Sequence, residues 1–193
     1  MGLSEYKPLH NPPLEAPSTA QRIQGGVHRP GMSYRVQLAW DGKRLTGRLG
    51  GAILGENLYL EAQGRELLGS LSSSLRAFAL HAKLEGNYLQ FRRVGAEHGS
   101  SASLELSGGR ASGWVYLETC VSLRESSEDR AQPVEVEFGP SRLLARIGPD
   151  QAVTLHHPGF AAWVLAAAAL AADLAARDAW RVLLESYAGW AEA

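Results

Sequence analysis

Residues 160–172 read FAAWVLAAAALAA, a run with no charge and no polar face at any period. A helix that is apolar all round has to be buried on every side. At about 13 residues the run would rise roughly 20 Å, short of the ~20 residues that a bilayer core requires, which favours a core helix over a membrane span. Pro158 and Gly159 stand just ahead of it, a natural lead into a first helical turn. Asp173 closes the apolar run. Beyond it Leu174, Trp180, Leu183, Leu184 and Tyr187 form a stripe with Arg177, Asp178, Arg181 and Glu185 outside, the pattern of a surface helix, and Gly189 is a plausible stop.

Everything upstream has the period of strands. Tyr34, Val36, Leu38 and Trp40 alternate with Arg35 and Gln37, and Asp41-Gly42 reads as a hairpin turn. The return places Leu45, Gly47 and Leu49 on one face and Arg44, Thr46 and Arg48 on the other. The same rhythm continues through Leu58–Ala62, Leu67–Leu71, Phe78–Leu84, Tyr88–Val94, Ala102–Leu106 and Trp114–Glu118. It breaks at 119–133, a polar excursion that reads as an exposed loop, then resumes at Val134–Phe138, Leu143–Ile147 and Ala152–His156. Turn signals about every 8 to 12 residues predict an all-β sandwich or barrel of roughly ten strands. The fold expected is therefore mainly β with a C-terminal α-helix: an antiparallel barrel or strongly curved sheet packed around that hydrophobic helix. Residues 1–31, with Pro8, Pro12, Pro13, Pro17 and Pro30, read as a flexible Pro-rich N-terminal arm, and 32–193 as a single β-rich domain.

Composition narrows the function mainly by exclusion. Nineteen Lys and Arg against twenty Asp and Glu leave a net charge of -1, so there is no basic excess for wrapping nucleic acid. Cys120 is the single cysteine, which rules out an intrachain disulfide or a thiolate zinc cluster and suits a reducing compartment. The N-terminus lacks a basic start followed by an apolar core, so a cytoplasmic location is expected. The preference for Arg over Lys and the Ala-rich tail read as the bias of a GC-rich bacterial genome.

The search for chemistry returns little. Gly47, Gly50, Gly51 and Gly55 crowd one stretch without any phosphate-binding spacing, and read instead as bulges or tight curvature. His156-His157 is the most reactive-looking pair, but adjacent residues of a regular strand point to opposite faces and do not share a metal. His10, His28, His81 and His98 show no ligand spacing, Cys120 reads as a buried thiol, and Glu128 and Asp129 as solvated loop carboxylates. No catalytic residue, metal site or cofactor is expected. Lys43, Arg44, Arg48, Arg92 and Arg93 compose a candidate cationic face for anionic lipid headgroups.

The segment Trp163-Val164-Leu165-Ala166-Ala167-Ala168-Ala169-Leu170-Ala171-Ala172-Asp173-Leu174 resembles the helix of the tubby-like superfamily, which includes tubby proteins, phospholipid scramblases and LURP-one-related proteins. Leu58-Tyr59-Leu60-Glu61-Ala62-Gln63-Gly64-Arg65-Glu66-Leu67-Leu68 is similar to their recurring strand, Gly turn, strand unit. The resemblance spans Ser33 to Leu174. It implies a closed barrel around a central helix and a non-enzymatic lipid-facing or scaffold role. It also implies an ion-binding reading of Asp173; the competing reading, that Asp173 marks where the helix leaves the core, is favoured by the cost of an unpaired buried carboxylate. Two other expectations stand beside it: a carrier with a small apolar ligand in an open barrel cavity, and a homo-oligomer assembled through the C-terminal helix.

Overall fold

The computed structural model describes residues 20–96, 98–119 and 131–191. Twelve strands come first: β1 (Gln21–Arg29), β2 (Met32–Trp40), β3 (Arg44–Leu49), β4 (Glu56–Gln63), β5 (Glu66–Ser72), β6 (Ala77–Glu85), β7 (Tyr88–Val94), β8 (His98–Ser107), β9 (Arg110–Thr119), β10 (Ala131–Phe138), β11 (Arg142–Ile147) and β12 (Gln151–His156). One helix, α1 (Ala162–Ala191), follows. Each strand pairs antiparallel with its neighbours in sequence, and β12 returns to β1, so the sheet closes into a barrel without a free edge. Of the barrel and the curved sheet that the alternating pattern allowed, the barrel is the one formed.

The strand that closes it is the one the sequence pattern hid. β1 lies within the stretch expected to be a flexible arm, yet it pairs with β2 from Gln21↔Trp40 to Arg29↔Met32 and with β12 from Gln24↔His156 to His28↔Ala152. Only Ile23 and Val27 mark its inner face, because Gly25 occupies the position between them. Pro30-Gly31 is its turn into β2, with Gly31 at φ 76°. From Gln21 onward the expected arm is strand, and residues 1–19 lie outside those described.

The β2–β3 hairpin also differs in detail. Asp41 donates its backbone N–H to the Arg44 carbonyl at 3.1 Å, so the two central residues are Gly42 and Lys43 rather than Asp41 and Gly42. Gly42 takes the positive φ, 96°, and the Asp41 carboxylate accepts the N–H groups of Lys43 and Arg44 at 2.9 and 2.6 Å. The facing pattern stands: Leu45 and Leu49 are inside.

Inward positions of the wall carry bulk. Ile23, Leu45, Leu60, Leu67, Leu89, Phe91, Leu104, Leu143 and Ile147 are fully buried. The helix they surround is smooth: Ala166–Ala169, Ala171, Ala172, Ala175 and Ala176 are buried with Val164, Leu165, Leu170 and Leu174. Large side chains from twelve strands leave an axis only wide enough for a helix of small ones, and Ala is also the best helix former. Gly47 shows how closely neighbouring strands of the wall approach. It faces inward at φ 152°, and a Cβ there would strike the Gln37 carbonyl of the adjacent strand.

α1 starts where β12 ends. The Ala161 carbonyl accepts the N–H groups of Val164 and Leu165, and the helix then runs back along the axis until Asp173 meets Gln151, the first residue of β12. Twelve helical residues and one six-residue strand each rise about 17 Å, so the lengths match. Asp173 does not end the buried part: it is fully buried, Trp180 is 3% exposed, and the helix continues unbroken. Among the described residues no helix is long and apolar enough to cross a membrane.

Candidate functional site at the exit end of the barrel

The barrel has two ends. At one, β12 hands over to α1; at the other, where β4, β8, β10 and β12 begin, α1 emerges. Inward positions become polar at this exit end: Glu56 on β4, Arg93 on β7, Ser100 on β8 and Gln151 on β12 are all buried. They meet the polar residues of α1. Arg93 donates from Nη1 to Asp178 Oδ2 at 2.6 Å, reaches Ser100 Oγ from Nη2 at 3.3 Å, and lies over the Phe78 ring at 4.4 Å. Arg181 approaches the other Asp178 oxygen at 3.3 Å. One turn deeper, Arg177 pairs with Asp173 at 2.8 Å and donates to Gln132 at 2.9 Å, while Gln151 donates to Asp173.

This network replaces the sequence-based placement of three residues. Asp173 is inside the barrel rather than at its margin, and it is tolerated there because Arg177 and Gln151 partner it. Burial still pushes its carboxyl above the ordinary range, against the pull of Arg177. Asp178, expected on the outer face of a surface helix, is 8% exposed. Leu184, expected on the apolar stripe, is instead 57% exposed, because the helix has left the barrel by that point.

Glu56 is the outlier of the cluster. Its carboxyl is raised to about 7, first by burial and then by Asp178, with Arg93 and Arg76 opposing. Its Oε2 and the Arg93 Nε have no hydrogen-bond partner among the described residues. Nearby, Tyr34 donates its hydroxyl to the carbonyls of Leu49 at 3.1 Å and Leu54 at 3.4 Å, and burial lifts the phenol well above its usual value. These groups tie helix, wall and loop together.

The rim around this network is apolar. Ile53, in the loop between β3 and β4, is 93% exposed, and Leu75, between β5 and β6, is 89% exposed. Both are held out by local hydrogen bonds. Arg48 donates to the carbonyls of Gly51 and Ala52 at 2.9 and 3.2 Å and to Asn57 at 3.0 Å, bracing the loop that carries Ile53. Ser73 accepts the N–H groups of Leu75 and Arg76 at 3.3 and 3.1 Å, a tight turn with Leu75 at its tip. Val94, at the end of β7, and Leu184 add exposed apolar surface at this end, and Arg35 and Arg76 add charge.

The five basic residues expected to share a face do not. Lys43 and Arg44 sit at the opposite end, where Lys43 pairs with Glu61 at 2.7 Å and Arg44 lies in register with the same Glu61. Arg92 is exposed on the outer wall of β7, four strands round from β3. Arg93 points inward and is 4% exposed, so it is removed from any headgroup-binding face. Alternation along β7 separates the two neighbours, as it must. Arg48 belongs to the exit rim, and Arg92 lies outside the wall two residues short of Val94 at the same end. Sequence reasoning missed Ile53 and Leu75, although the short apolar run Ala52-Ile53-Leu54 between Gly50-Gly51 and Gly55, and a leucine after a serine run, were the available signals.

Elsewhere, His81 pairs with Glu66 at 3.2 Å on the outer wall and His28 is exposed on β1. No group of three or more potential metal ligands occurs among the described residues. Cys120, Glu128, Asp129 and His10 lie outside them. Comparison with known proteins finds no match to a family model, to a curated protein or to a solved structure.

Proposed function

We propose that this chain is a non-enzymatic binding or scaffold protein that contacts anionic lipid surfaces end-on, through the exit rim of the barrel. The observation that carries the reading is the pair Ile53 and Leu75, each almost wholly exposed at the tip of a braced loop at one end of the molecule. Apolar tips beside Arg35, Arg48 and Arg76 supply the two signals that interfacial binding needs, insertion of side chains and attraction to anionic headgroups. Burying one such side chain is worth about 1.5–3 kcal/mol, so each tip is worth roughly tenfold or more in partitioning. The tubby-like resemblance of the sequence implies the same lipid-facing role.

Flotation with vesicles of phosphatidylcholine containing phosphatidylserine tests this. Binding is expected to rise with the phosphatidylserine content, to fall about tenfold or more in Ile53→Ser or Leu75→Ser, and to be unaffected by Lys43→Gln at the opposite end. Binding indifferent to both loop substitutions would overturn it.

A carrier role draws no support from the axis, which α1 fills where an apolar ligand would sit. Self-association through α1 is favoured by one observation, the exposure of Leu184 on the turns that project from the barrel. Light scattering of Leu184→Glu, with a lowered mass as the expected result, tests that reading.

A further inference from the structure

At the end opposite the rim, an open cleft of about 600 Å³ is lined by Arg22, Gln24, Ser141, His156, His157 and Pro158. Regular alternation would have sent His156 and His157 to opposite faces, but β12 ends at His156, and the chain turns there. His157 donates its backbone N–H to the Ser141 carbonyl at 3.0 Å, which draws the β10–β11 turn against it. Both histidines therefore border one cleft. β1 brings Arg22 and Gln24 on its outer face, with Gln24 in register with His156.

The lining is rich in donors and contains no carboxylate. Arg22 offers a planar fork of N–H groups, and Ser141 and Gln24 each carry a donor. The decisive group is His157. It is 7% exposed, and its Nδ1 accepts the Gly159 N–H at 3.1 Å, which leaves the ring proton on Nε2. That Nε2 is buried without a partner among the described residues. Burial, with His156 adding to it, holds the His157 ring below its ordinary pKa, so the neutral tautomer with an Nε2–H donor is the form present at neutral pH. An orphaned buried donor costs about 1–3 kcal/mol, and an acceptor oxygen from the cleft that His157 borders would recover it once a small movement of the wall uncovers the nitrogen. The positive end of α1 begins just past Pro158 and favours negative charge at this mouth.

We infer that this cleft is a binding site for the phosphate group of a small, soluble organic phosphate, with the Arg22 guanidinium on the phosphoryl oxygens and His157 Nε2–H, Ser141 and Gln24 completing the cradle. The volume suits a phosphate with a modest organic body attached. A headgroup phosphate offers the same oxygens, but a surface met by the exit rim lies at the far end of the barrel, which assigns the cleft to a free ligand.

The test follows the ring nitrogens of His157 by two-dimensional NMR of the full chain, assigned with His157→Gln, during titration with inorganic phosphate and, separately, with phosphatidic acid vesicles. Free phosphate is expected to move the His157 Nε2 resonance saturably. Arg22→Gln is expected to weaken that response about tenfold or more, and Ser141→Ala by less, while Arg146→Gln on the outer wall leaves it unchanged. Thermal midpoints of the variants report whether each remains folded. No saturable shift with phosphate, a shift indifferent to Arg22→Gln, or a shift seen with the vesicles alone would each overturn the assignment.

Discussion

The helix holds two stretches that solve burial in opposite ways. From Val164 to Ala172 every residue is buried and apolar, with alanine as the majority and only Val164, Leu165 and Leu170 as larger side chains to mark depth in the barrel. From Asp173 to Arg181 the helix is still largely buried but carries Asp173, Arg177, Asp178 and Arg181, each engaged by a charge or an amide. Apolar contact is non-directional and drives the helix into the lumen; charge-assisted hydrogen bonds have direction and fix how far in it goes and how it is rotated. Without the polar collar only the few larger side chains, Val164, Leu165 and Leu170, would oppose sliding by a turn, because the alanine faces between them are nearly equivalent.

The largest effect should come from breaking the collar on one side only. Arg93→Met leaves Asp178 buried without its main partner and is expected to cost about 3–5 kcal/mol of unfolding free energy in urea titrations. The double variant Arg93→Met with Asp178→Leu should recover most of this. If the collar sets depth and rotation, the double variant should be stable yet show multiple amide NMR signals for 164–176. A single sharp set would mean apolar contact alone fixes the helix.

Glu56 sharpens the contrast through pH. Its folded value of about 7 exceeds the ordinary 4.5, so the native state holds a proton that the unfolded chain releases earlier. Its contribution is therefore full below about pH 4.5 and is lost as the pH rises through 7, a loss on the order of 3 kcal/mol. Glu56→Gln is expected to remove that slope and to be more stable than the native chain at pH 8. Parallel stability profiles for the two proteins between pH 4.5 and 7 would show that Glu56 does not titrate in this way.

In the smooth stretch the sensitivity is to size. Ala169→Leu adds bulk where there is no room and should cost about 1–3 kcal/mol, read from the urea midpoint. Beyond the barrel the helix should be nearly indifferent: Leu184→Gln is expected to change stability by less than about 0.5 kcal/mol. A large loss at Leu184 would mean the projecting turns are covered by something, and would favour assembly through α1.

Much of this architecture was legible in the residues. Period-two alternation from Tyr34 to Leu155 identified strands and their inner faces, and the unbroken apolar run after Pro158 identified a helix with no solvent face. β1 escaped because Gly25 removes the middle of its inner stripe and Pro30 lends it the look of a leader. The candidate sites were hardly legible. Arg92 and Arg93 look alike as a dipeptide, yet one faces water and the other an aspartate 85 residues away. Ile53 and Leu75 are unremarkable as letters and acquire meaning only as the exposed tips of neighbouring loops.

The division has a simple physical basis. Local periodicity determines which side of a strand or helix is apolar, so the chain by itself specified strands, turns, an inner face and a helix that must be surrounded. Closure and its consequences depend on contacts between residues far apart in sequence. Only the tertiary structure decided that β1 seals β12, that Asp173 and Asp178 find partners inside the barrel, and that Arg22 stands beside His157. A charge can be buried only where another meets it, and no reading along the chain says where that will be.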